Sequence, residues 1–458
     1  MTLRLDRLPA SLHDAVLVPG TPDYEAARPV WNARVDVRPA LIVRPASVEA
    51  VVDALRVGRE AGLPIAVRGG GHSVAGHGTV EGGLVIDLVR LDRIAVDPAA
   101  RVARVGGGVR WGALDRALAE HGLATVGGQI STTGVGGLTL GGGVGWLMGA
   151  FGLVVDNLRS VDLVDADGRI RTVSGDREPD LFWALRGGGG NYGIATEFEF
   201  DLHPVTTVLA GTLLHPFDRA AEVIARFRDV SATAPDELTL MVLLLQAPRQ
   251  PFIPEEHRGR PVALFAVCWL GDPDRGREVL RPITSYGLAL VDSVRVMPYP
   301  ELQSMFDHGS RPGFGNAWRS PFLRSLDDAA IATIVEHAAR MPTDISQVLL
   351  TNMGGAVARA PVEATAFPQR RAPFYLEVIG KWEAGADGGP ATAWADAFDT
   401  AIRPWSTGYT YVNFLDEDGD QPVGAAYDPA TVARLAELKA RYDPDNVFRT
   451  NHNIAPRP

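Results

Sequence analysis

The sequence predicts a two-domain α+β protein. Two observations point there. At 458 residues the chain is longer than one hydrophobic core usually organises. Its texture also changes near His203-Pro204. Short strand and helix signals alternate among glycine clusters before that point, and long strand-like runs alternate with helical patterns after it.

The first part justifies this element by element. "RPALIVRPASVEAVVDALRVGREAGLPIAVRGGGHS" reads strand, helix, strand. Ser47 is the expected N-cap, Val51, Val52 and Leu55 the apolar face, and Gly62 the stop. "GGLVIDL" and "RVARVGGGV" are further strands and "WGALDRALAEHGL" is a helix, so residues 30–125 read as a small α/β unit. From Gly127 to Gly152 glycine is dense but interrupted by Ile130, Leu138, Trp146 and Phe151, the pattern of backbone brought close to a ligand. "VDLVDADGRIRTVS" reads as a hairpin around Asp167-Gly168, and "DLFWALRGGGGNYGIATEFEFDL" as helix, glycine turn, strand.

Beyond residue 205, helical patterns over 220–230 and 326–341 alternate with "LTLMVLLLQA", "VALFAVCWL", "QVLLTNMGG" and "FYLEVIGKW". This predicts a sheet with helices on one side and a free second face. In "FYLEVIGKW", period-two alternation puts Tyr375 and Glu377 on one face, with Leu376, Val378 and Trp382 on the other. Tyr409, Tyr411 and Asn413 share a face by the same argument. A last helix runs from Pro429 to Arg441, with Asp428 as N-cap and Pro429 at its first position. The tail "YDPDNVFRTNHNIAP" cannot form a core alone and is expected to pack on the first domain.

Composition narrows the function classes. The formal charge is −11, from 44 basic and 55 acidic side chains, which disfavours binding a nucleic-acid backbone. The one cysteine, Cys268, allows no intramolecular disulfide and no CxxC metal site, and reads as a buried strand residue. No metal site is expected. The N-terminus lacks the apolar core of a signal peptide, and nothing approaches the about 18 apolar residues of a membrane span. The expectation is a soluble, cytoplasmic protein.

One GxGxxG match occurs, Gly188 to Gly193, but a helix precedes it and a strand follows. That is the reverse of the dinucleotide-binding order, so a Rossmann reading is rejected. Glycine turns after strands can instead aim several backbone N–H groups at one anion. Gly69 to Gly71 and Gly134 to Gly145 suit that task, and four such clusters within 130 residues point to a large nucleotide cofactor.

The blocks "PIAVRGGGHS…GGLVIDL", "GVGGLTLGGGVGWL…GLVVDNL", "DLFWALRGGGGNYGIATEFEF" and "YDPDNVFRTNHNIAP" occur in this order over nearly the whole chain. In this the sequence resembles the FAD-linked oxidases of the berberine-bridge-enzyme-like group, within the vanillyl-alcohol-oxidase/p-cresol-methylhydroxylase superfamily. The resemblance implies a PCMH-type FAD-binding domain over 1–205, an antiparallel-sheet substrate domain over 206–408 and a C-terminal segment over 409–458 that returns to the first domain.

It also implies roles. His72 holds the position whose imidazole is joined to the 8α-methyl of FAD. Arg68, Gly69, Gly70, Gly71, Ser73, Gly76 and His77 would surround that linkage. Gly128, Thr132, Thr133, Gly134, Gly136, Gly137, Gly142 and Gly143 would form the second loop, and Gly190, Gly193 and Ile194 the third. Asn451 and Asn453 would meet the polar edge of the flavin, while His77 and His452 read as structural rather than catalytic. Relatives that attach FAD twice have a cysteine where this chain has Ile130, so a single link is implied. Thr133 stands in a slot that governs oxygen access and matches valine in shape, which implies an oxidase.

The base is implied to be Glu377 or Tyr411, with Tyr375 beside Glu377. The family's "YVNY" here ends in Phe414, and Gln369 replaces a histidine found in relatives. The expected reaction passes hydride from an alcohol, sugar or amine C–H to the flavin and then to O2, giving H2O2. A dehydrogenase with another acceptor and a non-catalytic flavin- or carbohydrate-binding protein remain as alternatives. Substrate and oligomeric state are not legible.

Overall fold

A computed structural model describes residues 8–287, 289–416 and 423–457. Its first layer is a small sheet in which Leu41–Val43 and Ile65–Arg68 flank Leu84–Asp87, both in parallel. The helix Val48–Glu60 connects the outer two. Ser47 caps it by accepting from the Ala50 N–H, Val51 and Leu55 are buried, and Gly62 takes the left-handed φ of +67° after its end.

A second sheet is antiparallel, in the order Ile94–Asp97, Val102–Gly106, Ile194–Asp201, Leu158–Val164, Ile170–Ser174. The segment 30–125 is therefore divided between two sheets, where the sequence suggests one α/β unit. Val102–Gly106 pairs with Ile194–Asp201, some ninety residues away, and no local pattern announces that partner.

The large sheet contains ten strands among the described residues. Its central order is Thr207–Pro216, Pro261–Trp269, Leu238–Gln246, Gln347–Asn352, Phe374–Glu383, each pair antiparallel. The helices Ala220–Ser231, Asp328–Ala338 and Gly389–Ile402 cover one face through Val223, Phe227, Ile334 and Phe398. Leu376 and Val378 point into that layer, and Trp382 packs on Ala391 of the last helix. Tyr375 and Ile379 point the other way, as the alternation requires. The second face is not free: the first part of the chain closes over it. Cys268 is buried in the sheet, and burial raises its thiol pKa well above the usual range.

The chain's end is fastened to the first part. Lys439, fully buried on the helix Pro429–Tyr442, donates to the Asn191 carbonyl (2.7 Å), the Phe448 carbonyl (2.8 Å) and the Asp443 carboxylate (2.7 Å). Asn191 donates to the His452 carbonyl and accepts from the Ile454 N–H. These bonds lay residues 448–454 along the glycine turn 187–193.

Candidate active site

The run Gly69-Gly70-Gly71 follows the strand Ile65–Arg68, and two of its glycines have a stated physical need. A Cβ on Gly70 would stand 2.2 Å from the Gly134 nitrogen, so two loops meet backbone to backbone there. Gly71 takes φ +72°, a left-handed turn that costs other residues energy. That turn presents His72. Its Nε2 shares a hydrogen bond with the Thr132 hydroxyl at 3.0 Å, and Trp31 stacks on the ring with centroids 5.1 Å apart. Burial, reinforced by Arg110, holds the imidazole pKa down at about 3. The ring is therefore neutral and keeps a nitrogen lone pair for bonding.

His72 opens onto a cavity of about 1160 Å³. Arg68, Gly69, Gly70, Gly71, Ser73, His77, Gly128, Thr133, Gly134, Gly136, Gly137, Gly190, Gly193 and Asn451 line it with His72, as do Ile130 and His452. Gly76, Thr132, Gly142, Gly143, Ile194 and Asn453 stand outside the wall. Gly76, at φ +84°, packs on Val35, and Thr132 acts through His72. Gly142 and Gly143 pack on Phe367 and Val154, where a Cβ would stand 2.6 and 2.4 Å away. Ile194 belongs to the apolar core under the small sheet. Much of the glycine density after residue 140 thus serves packing, a need that looks the same in sequence as a ligand cradle. His77 and His452 meet edge to face at 4.5 Å, and burial keeps both neutral, at about 3 and about 4.

The wall fits a large dinucleotide. Arg68 is buried, with Nη2 held by Asp87 at 3.0 Å and Nη1 without a partner among the described residues. That leaves a buried cationic N–H for an anion. Gly137 and Gly190 have open space where a Cβ would stand, so a side chain there would project into the cavity. Asn451 donates to the Gly190 and Phe448 carbonyls, and its Oδ1 has no partner among the described residues. That oxygen can accept from a ring N–H.

Across the cavity stands the large sheet. Glu377 lines the wall at 3% exposure, and its Oε1 has no hydrogen-bond partner among the described residues. Burial pushes its pKa up to about 8, against the opposing pull of Tyr375 and Lys381. A carboxyl so placed can hold or take a proton near neutral pH. Lys381, on the same face four residues on, donates to the Gly309 carbonyl at 2.9 Å and is brought down to about 8 by burial. Sequence reasoning missed Lys381, although extending the period-two alternation of Tyr375 and Glu377 reaches it.

Tyr375 lies behind the wall, fully buried and beside Glu377. Tyr411 also stands outside the cavity. Its hydroxyl accepts from the Gly143 N–H at 2.9 Å and from Asn413 Nδ2 at 2.7 Å. That bonding anchors the 141–143 turn, whereas Asn413 and Phe414 do line the wall. Among the described residues no group of three or more His, Cys, Asp or Glu side chains is placed to hold a metal ion. No helix there is long and apolar enough to cross a membrane.

Comparison with known proteins agrees with this geometry. Residues 39–174 match the FAD binding domain family model, and residues 410–455 match the model for berberine and berberine-like proteins. An FAD-linked oxidoreductase of Dictyostelium discoideum is 32% identical over 97% of this chain and 95% of its own length. The chain belongs to the berberine-bridge-enzyme-like FAD-linked oxidoreductases. Within this family, (R)-6-hydroxynicotine oxidase of Paenarthrobacter nicotinovorans is 30% identical over 98% of both chains. The crystal structure of 6-hydroxy-D-nicotine oxidase from Arthrobacter nicotinovorans superimposes with a TM-score of 0.88 at 29% identity, covering 98% of this chain and all of that one. A chitooligosaccharide oxidase shares the fold at 22% identity and a TM-score of 0.83. The protein is thus an FAD-dependent oxidoreductase with the PCMH-type fold.

Proposed function

We propose that the protein is an oxidase that holds FAD through a single covalent bond to His72 and uses Glu377 as its base. The observation that carries this reading is the shared cavity: a neutral, oriented His72 on one wall and a buried carboxyl with an unpartnered oxygen on the other. In this reading residues 1–205 hold the cofactor, 206–408 hold the substrate, and 409–458 close the cofactor site.

FAD, when bound, supplies the two-electron acceptor and passes the electrons on to O2. Overall, the substrate's C–H and its O–H or N–H bond break and a C=O or C=N bond forms. O2 takes up two electrons and two protons as H2O2. Glu377 takes the O–H or N–H proton at its free oxygen. The sheet beneath it fixes the carboxyl's position. The single link is supported by Ile130 on the cavity wall, where a second attachment would need a thiol. Oxygen as acceptor is supported by the small Thr133 on the same wall and by the oxidase names of the 6-hydroxynicotine-oxidising relatives.

A peroxide-coupled screen over alcohols, cyclic amines and sugars tests the reading. Peroxide from the wild type, and a loss of about 10²–10⁴ in rate in Glu377→Gln at unchanged flavin content, is the expected result. Flavin reduction by a substrate with electron transfer only to an artificial acceptor, and none to O2, would replace the oxidase with a dehydrogenase.

A further inference from the structure

We infer that the substrate is an elongated apolar molecule carrying one oxidisable alcohol or amine at its end. This rests on the proposed oxidase reading and specifies the substrate class of the same site.

Strand register aligns one row of side chains along the cavity. Glu377 is paired directly with Leu349, Leu349 with Leu243, Leu243 with Leu264, and Leu264 with Leu214. Residues paired directly across antiparallel strands present their side chains on the same face. All five line the cavity. The row is thus one carboxyl followed by four leucines across five adjacent strands. At about 4.8 Å per strand it runs ~19 Å from Glu377 to Leu214.

The neighbouring rows add little polarity. Gln347, paired with Ile379, and Thr212, paired with Ala266, are the polar groups they present to the cavity. Met305 and Phe306 line it as well. A polyhydroxylated substrate laid on this track would bury the hydroxyls of its sheet-facing side against leucine, at a cost in free energy. An alkyl or aromatic shaft loses nothing there and gains from burial. Its reacting end meets Glu377, the one carboxyl in the row.

The test uses the holoenzyme and a series of 4-alkylbenzyl alcohols with methyl, butyl and octyl chains, with xylobiose as the polar comparison. Binding is read by titration calorimetry, which needs no turnover, and peroxide is measured in parallel. The expected Kd falls about three- to fourfold per added methylene up to butyl. Leu243→Gln removes most of that gain, and Leu243→Met, which keeps an apolar side chain of similar size, retains it. A flat alkyl series, or xylobiose binding as tightly as the butyl compound, overturns the inference. Peroxide from xylobiose with a flat alkyl series leaves the oxidase reading standing alone. A rising series in which members reduce the flavin without yielding peroxide leaves the apolar track and sinks the oxidase reading.

Discussion

Glu377 and Lys381 stand four residues apart on one strand and one face of it, and neither reaches solvent, at 3% and 1% exposure. Burial raises the acid and lowers the amine, so both change charge near pH 8.

The first consequence is a pH profile. Glu377 acts as a base only when ionised, and its raised pKa keeps it protonated below about 8. The rate of substrate oxidation is therefore expected to rise with pH through that region. The Lys381 charge favours the carboxylate, so Lys381→Met moves the midpoint to higher pH. Glu377→Gln flattens the profile. Initial rates between pH 6 and 10 check this, and a downward shift in Lys381→Met would contradict it.

Tyr411 separates structure from chemistry. Tyr411→Phe deprives the buried Gly143 N–H of its acceptor and Asn413 of one partner, a loss of about 1–3 kcal/mol in stability. Chemical denaturation reads that loss. The folded enzyme keeps its rate within about tenfold, in contrast to Glu377→Gln. A drop as large as that of Glu377→Gln would move the base to Tyr411.

Two glycines of the cofactor wall differ in what they meet. Gly70→Ala drives a Cβ into the Gly134 backbone and is expected to destabilise the chain whether or not flavin is present. Gly137→Val meets open space within the cavity and leaves the flavin-free chain as stable as wild type. It is expected to lower the flavin content instead. Melting temperatures of flavin-depleted protein and visible absorbance per chain measure the two effects.

What the sequence revealed follows the range of the interactions. The Val48–Glu60 helix, its Ser47 cap and the two faces of Phe374–Glu383 depend on neighbours within a few residues, and all are legible in periodicity. The motif blocks located His72 and the loops around it. Lys381 follows from extending that same alternation, whereas the split role of the second glycine cluster was not legible. Gly142 is needed because Phe367 packs on it, and Gly143 because Val154 does. A glycine in sequence does not say which group occupies the space it leaves. The leucine row is likewise a matter of register between strands that lie far apart in the chain.

The central claim is that His72 tethers the cofactor at the cavity that Glu377 faces. Intact mass of the acid-denatured wild type, with peptide mapping, tests it most directly. The expected result is a flavin adduct on the peptide containing His72, a yellow acid precipitate, and the loss of both in His72→Ala. A wild type produced with ample riboflavin that has unmodified mass and yields a colourless precipitate would contradict it.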